Sequence, residues 1–306
     1  MRKIRWGVLG NAKIARVKVI PAMQHCEFAE VVAVASRDGG YGPYEKLLAD
    51  PRIDAIYNPL PNHLHVPWSI RAAEAGKHVL CEKPIAMTAA EARELIAARD
   101  RTGVKVGEAF MSRTHPQWIR AREIARSGEI GEVRLVSGFF GYFNRDANNI
   151  RNKVEMGGGA LMDLGCYPIT HSRWIFGEEP LRVGASMERD PEFGTDRLTS
   201  AILDFPSGRC VFTVATQLVW YQRMHILGTK GRIEIEIPFN APPDRPTRIF
   251  VNDSVEEFPV CDQYTIQADL FSRAILENGE VPVPLEDAEK NMRVIDRIRM
   301  AANERG

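Results

Sequence analysis

Residues 53–84, IDAIYNPLPNHLHVPWSIRAAEAGKHVLCEKP, decide the fold of this chain. The run from Asp54 to Tyr57 is short, β-branched and aromatic, and it stops at Asn58, Pro59, Leu60, Pro61 and Asn62, which predicts a buried strand entering a loop. Val66, Ile70 and Ala73 then recur on one helical face, and Gly76 closes that helix. Residues 77–81 read as a second strand that delivers Glu82, Lys83 and Pro84 at its carboxyl end. Strand, crossover helix and strand make a parallel unit, and open parallel sheets gather ligands at the carboxyl ends of their strands. The expected class is therefore α/β.

Upstream, a first strand over 4–9 runs into Gly10, Asn11, Ala12, Lys13, Ile14 and Ala15, the spacing G-x-A-x-x-A. In a dinucleotide fingerprint the first glycine makes the tight turn. The second position admits the pyrophosphate to the backbone, and the third lets the helix pack closely. The next strand, 30–35, ends in Ser36, Arg37 and Asp38, where an acid would grip an NAD ribose. Ser36 and Arg37 instead present a hydroxyl and a guanidinium, which suit the additional phosphate of NADP. Asp38 keeps NAD open. These readings give an N-terminal Rossmann sheet over 1–110 with Gly10, Asn11, Ala12, Lys13, Ile14, Ser36 and Arg37 on the cofactor.

Between Asp38 and Tyr44 stand only Gly39, Gly40, Tyr41, Gly42 and Pro43. A parallel crossover needs at least about ten residues, so this sheet is expected to lack one helix and an edge strand, or else a loop is missing from the sequence.

A chain of 306 residues exceeds one ordinary domain, and its formal net charge is zero. Balanced charge offers no field for nucleic acid or an anionic membrane, so a small molecule is the expected partner. No apolar run reaches the roughly 18 residues that span a bilayer. Five dispersed cysteines without a C-x-x-C pair fit a reducing cytoplasm.

Thr88 to Glu91 form a capping box that opens a helix closed by Gly103, and 104–110 is the last strand of the first domain. Pro116 to Ser127 reads as an amphipathic helix closed by Gly128. The remainder, 111–306, is expected to be an α+β domain whose large sheet is mostly antiparallel, with β runs from 132 to 143 and again from 181 to 251. Within it, Gly157, Gly158 and Gly159 permit close backbone approach to a ligand. Asp163 and Tyr167, four apart, share a face if the segment is helical.

The combination GVLGNAKIA, VAVASRD, YNPLPNHLH, AGKHVLCEKPIA and GGGALMDLGCYPI resembles the family of glucose-fructose oxidoreductase, inositol dehydrogenase and MocA over nearly the whole chain. The D-x-x-x-Y form of the last motif is similar to that of D-xylose dehydrogenase, glucose-fructose oxidoreductase and dimeric dihydrodiol dehydrogenase. The resemblance implies NADP-dependent hydride exchange with a sugar or sugar-like alcohol or hemiacetal. Reduction of a keto-sugar and oxidation of a trans-dihydrodiol on the same scaffold are alternatives, and a catalytically silent NADP or sugar sensor is the reading from another class.

It also implies that Lys83 contacts the ribose and nicotinamide while Glu82 and Pro84 fix its turn, and that the Asp163–Tyr167 face meets Lys83. Lys83 and Tyr167 would handle the proton, since a lysine in a dry cleft loses its charge more readily and a neighbouring ammonium favours phenolate. Asp163 would orient a substrate hydroxyl. Pro59, Leu60, Asn62 and His65 are expected to line the cofactor site. Arg113 and Arg151 are further candidate cofactor contacts, and His115 and Tyr264 candidate substrate contacts. His63 and His65 form an H-x-H pair without a third ligand at metal spacing, so no metal is expected. Trp220, Tyr221, Phe205 and Phe212 either fill the domain core or meet a second subunit, and the family's habit of pairing sheets favours a homo-oligomer, dimer or tetramer.

Overall fold

The computed structural model describes residues 2–36, 39–40 and 42–303. It separates into two compact units, Met1–Thr114 with Asp262–Glu289, and His115–Cys261 with Lys290–Gly306. The expected division at residue 110 differs in giving 262–289 to the second domain. Those residues return to the first unit because Trp6, fully buried in the first strand, donates from its indole to Ser272 Oγ at 3.0 Å and packs on Phe271.

In the first unit, β1 (Ile4–Leu9), β2 (Ala29–Ser36), β3 (Gly39–Gly40), β4 (Ala55–Asn58), β5 (His78–Glu82) and β6 (Val106–Ala109) form one sheet in the order β3-β2-β1-β4-β5-β6. Every pairing is parallel except that of the two-residue β3, which folds back antiparallel on Ala35 and Ser36. The chain then enters the helix Tyr44–Ala49 directly. Among the described residues no helix intervenes between β2 and β3, and positions 29–34 of β2 form the sheet edge apart from that stub. Strand order reverses between β1 and β4, which sets the switch point beside Gly10 and Asn58.

Local chemistry explains the connections. Thr88 accepts from the Glu91 amide at 3.2 Å, and the Glu91 carboxylate accepts from the Met87 amide at 3.0 Å. Gly103 closes that helix, Ala89–Thr102, in the left-handed region. Lys77, nearly buried, donates to the carbonyls of Asp50 and Ile53 and so ties the start of β5 to the entry of β4.

The second unit holds β7 (Val133–Phe143), β8 (Arg182–Arg189), β9 (Asp196–Asp204), β10 (Arg209–Ala215), β11 (Gln217–Gly228), β12 (Arg232–Ile235), β13 (Thr247–Val251) and β14 (Ser254–Phe258). Their order is β14-β13-β12-β11-β7-β10-β9-β8, antiparallel throughout except for β7 with β10. Period-two alternation sorts the two faces. Val136, Phe140, Leu203, Cys210, Phe212, Val214, Met224 and Ile226 are buried, whereas Ser137, Phe139, Ser200, Ile202, Val211 and Thr213 on the opposite face are not. The helices Pro116–Ser127 and Cys166–Phe176 are locked together by Trp118 stacked on His171, centroids 3.7 Å apart.

Of the four aromatics read as core or subunit contact, Phe205 and Phe212 are core, Phe205 stacking on Phe176. Trp220 and Tyr221 are 58% and 45% exposed. Among the described residues, no helix is long and apolar enough to cross a membrane, and no cluster of three or more histidine, cysteine or carboxylate side chains could hold a metal ion.

Candidate active site

In the first unit, β1 ends in a turn that requires glycine. Gly10 has φ +82°, and a Cβ there would stand 2.9 Å from Leu60 Cδ2. Its amide donates to the Ala35 carbonyl at 2.7 Å, joining the carboxyl ends of β1 and β2 beside Ser36. Asn11 and Lys13 are exposed and Ala12 and Ile14 half-buried as the chain enters the helical turns Ala15–Val19 and Ile20–Met23. The first amides of such a helix have no partner four residues back and point toward an incoming anion. A turn closed to any side chain, followed by a helix start, fits a dinucleotide pyrophosphate. Arg37 and Asp38 lie outside the described residues, and Ser36, half-buried, closes β2.

The loop after β4 is shaped by Asn58, which sequence reasoning missed as a site-building residue. Its buried amide donates to the His65 carbonyl and to Ser69 Oγ, both at 3.0 Å, and its Oδ1 accepts from the Leu60 amide. An asparagine closing an apolar strand was the only available signal. Pro59 and Leu60 follow in the turn, and Asn62 opens the short helix Asn62–Leu64.

His65 does not present a free ring to a ligand. Nδ1 lies 2.8 Å from the Pro84 carbonyl and Nε2 2.7 Å from that of Leu60, so the imidazole ties the cofactor loop to the turn that carries Lys83. Burial pushes its pKa down to about 4. With both nitrogens engaged, it is not available as a metal ligand.

Lys83, half-buried, sits on a turn held from three sides. Glu82 accepts from the Tyr57 hydroxyl at 2.7 Å, His65 holds the Pro84 carbonyl, and Glu108 accepts from the Ile85 amide at 2.7 Å. Burial, and then the Glu82 carboxylate, keep Tyr57 protonated well above the ordinary phenol range. Tyr57 is thus a fixed donor, and these three bonds to the turn are made by Tyr57, His65 and Glu108. Arg113 is committed to an ion pair with Asp287 at 2.9 Å. Tyr264, expected in the substrate domain, lies in the helix Gln263–Leu276 of the first unit, close enough to Tyr57 to affect its ionisation.

In the second unit, Asp163 lies in a wide π turn, Leu161–Gly165, that leads into the helix bearing Tyr167. Its Oδ2 accepts from Arg151 Nε at 2.6 Å and from the Tyr142 hydroxyl at 2.7 Å. The Asp163 charge is the main reason that Arg151 is held even more firmly protonated than usual, and Tyr142 and Tyr167 add to it. Asp163, Arg151, Tyr142 and Tyr167 therefore form one cluster. Tyr142 went unnoticed in the sequence because it looks like any position of an alternating strand.

The glycines before Asp163 serve the chain itself. A Cβ on Gly158 would collide with the Arg151 carbonyl, and the Gly159 amide donates to that carbonyl at 2.8 Å. The close approach that these glycines make in the structure is to the backbone that carries Arg151. His115 caps the helix Pro116–Ser127, its Nδ1 accepting from the Gln117 amide at 3.3 Å, and Nε2 faces Cys261 Sγ at 3.4 Å. It is almost fully buried, and burial lowers its pKa to about 4.

Comparison with known proteins agrees with both halves. Residues 4–110 match the family model described as an oxidoreductase family with an NAD-binding Rossmann fold, and residues 118–234 match the GFO/IDH/MocA C-terminal domain. An uncharacterized oxidoreductase of Rhizobium meliloti is 47% identical over 330 positions, covering 100% of this chain and 98% of the relative. This chain has 306 residues, so that relative carries positions absent here. A D-xylose 1-dehydrogenase (NADP(+)) of Haloferax volcanii is 37% identical over 97% of each chain. Among solved structures, a 3-ketoreductase of Actinomadura kijaniata in complex with NADP and TDP-benzene superposes with a TM-score of 0.91 at 30% identity over 98% of each chain. The same reductase has been solved with one lysine changed to alanine or glutamate and with one tyrosine changed to phenylalanine.

Proposed function

The chain belongs to the GFO/IDH/MocA oxidoreductase family, and from that premise we propose that it exchanges hydride between NADP(H) and a CH–OH carbon of a sugar or sugar-like substrate. The observation that carries this reading is Lys83, fixed by Tyr57–Glu82, His65 and Glu108 at the carboxyl end of β5. Two further facts support it. As many positions separate Lys83 from Tyr167 as separate the lysine and tyrosine replaced in the ketoreductase variants. Asp163, bound by an arginine and a tyrosine, is an ionised acceptor suited to a sugar hydroxyl.

When bound, NADP supplies the hydride-accepting nicotinamide. The chain's own part is positioning and proton transfer. Lys83 and Tyr167 take the proton of the reacting hydroxyl, and Asp163 accepts a hydrogen bond from a neighbouring one. Reduction of a keto-sugar uses the same groups in reverse. We place the enzyme in the cytoplasm, which suits five cysteines that all remain free thiols.

The test is a calorimetric titration with NADP and NAD, followed by oxidation of an aldose panel, D-xylose first, read as NADPH formation. NADP binding with turnover of at least one aldose or dihydrodiol is the expected result. A chain that binds neither cofactor is not an enzyme of this kind.

We also propose a homo-oligomer, dimer or tetramer, formed through the open face of the eight-stranded sheet. Its support is the exposed Trp220, Tyr221 and Ile202 on strands whose other face is already covered. Sedimentation of the wild-type chain as a dimer or larger, with dissociation in Trp220→Asp, is expected. A monomer at micromolar concentration contradicts it.

A further inference from the structure

The short connection after β2 leads into the helix that faces the adenosine end of the cofactor site. In an open α/β sheet the adenosine ribose lies over the first glycine of the fingerprint, between the carboxyl ends of the first two strands. Here the helix that begins at Tyr44 follows the β3 stub at once, and it brings an aromatic side chain to that place. The Tyr44 hydroxyl stands 3.4 Å from where a side chain on Gly10 would begin, so it lies at the rim of the phosphate turn.

The ring is held there. Trp68 meets it edge-on with centroids 4.8 Å apart. The Arg71 guanidinium lies over Trp68 at 4.6 Å and pairs with Glu45, the residue after Tyr44, at 3.3 Å. Leu60 Cδ2 stands 2.9 Å from the same point on Gly10. A phenol is an uncharged donor at neutral pH, and its bond to a phosphate oxygen is charge-assisted.

We propose that Tyr44 is a cofactor-binding residue that donates to the phosphorylated adenosine ribose, beside Ser36. This rests on the NADP reading above. Ser36 supplies one hydroxyl from the end of β2 and Tyr44 a second from the start of the following helix, so two neutral hydroxyls stand at the rim of the cradle.

Tyr44→Phe keeps the ring and its contact with Trp68 and removes the hydroxyl alone. In calorimetric titrations of the full chain, the dissociation constants of NADP and of 2′,5′-ADP should each rise about tenfold, the usual loss for a bond to a charged group. That of nicotinamide mononucleotide should not change. Wild-type affinity of Tyr44→Phe for both adenosine ligands overturns the proposal and leaves the NADP reading standing. Equal weakening of all three ligands also overturns it, because the substitution would then be disturbing the whole domain. Failure of the wild-type chain to bind NADP overturns both.

Discussion

Lys83→Met binds NADP like the parent and loses turnover by about a thousandfold or more, within the range that a positioned acid–base group contributes. The separation of binding from turnover follows from how the turn is built. Glu82 is held by Tyr57, the Pro84 carbonyl by His65 and the Ile85 amide by Glu108, and none of these bonds uses the Lys83 side chain. Methionine is also unbranched and of similar length, so it can occupy the same half-buried space without forcing the backbone. What it lacks is a proton and a charge. Calorimetry with NADP and steady-state turnover on one aldose, measured on the same preparation, decide the matter. Turnover within tenfold of the parent would remove Lys83 from the proton relay, whereas lost NADP binding would make it chiefly a cofactor ligand.

Much of the first unit was legible because its signals are local. Gly10 at the end of an apolar strand, the capping box at Thr88 and Glu91, and Gly103 at a helix end each act within a few residues, and each is found where the pattern puts it. The shortness of the connection after β2 was equally readable, since seven residues cannot hold a crossover helix and an edge strand as well, and a lost helix and a loop missing from the sequence read alike there. What the sequence hid is made by tertiary packing. His65 looks like a polar pocket residue until two carbonyls are seen on its nitrogens. Tyr142 is 21 positions from the carboxylate it binds. Tyr264 belongs with the cofactor unit because a helix far along the chain returns to Trp6, and no periodicity records that return.

The glycine triplet shows the same limit most sharply, and Gly159→Ala should cost the second unit about 3–5 kcal/mol. Gly159 has φ +112°, which L side chains rarely adopt, and its added Cβ would collide with Asp196 Oδ1. Asp196 cannot move without loss. It is almost fully buried and accepts from the Leu161 amide and the Thr199 hydroxyl, both at 2.7 Å, so displacing it leaves two donors unpaired, one at the start of the segment that holds Asp163 and one in β9. If the glycine backbone moves instead, the Gly159 amide leaves the Arg151 carbonyl and Arg151 is no longer set against Asp163. Either way the substrate half of the proposed site is deformed while β1 to β6 keep their contacts. Thermal unfolding followed by circular dichroism should show a transition lowered by about 10 °C. NADP binding below that transition should persist, with turnover reduced. Adding Asp196→Ala relieves the collision but still leaves the Leu161 amide uncapped, so the double variant should be less destabilised than the sum of the two single changes. Strict additivity would show that Gly159 and Asp196 do not meet, and a Gly159→Ala chain that melts with the parent would return the triplet to the role its sequence first implied, an approach to a ligand.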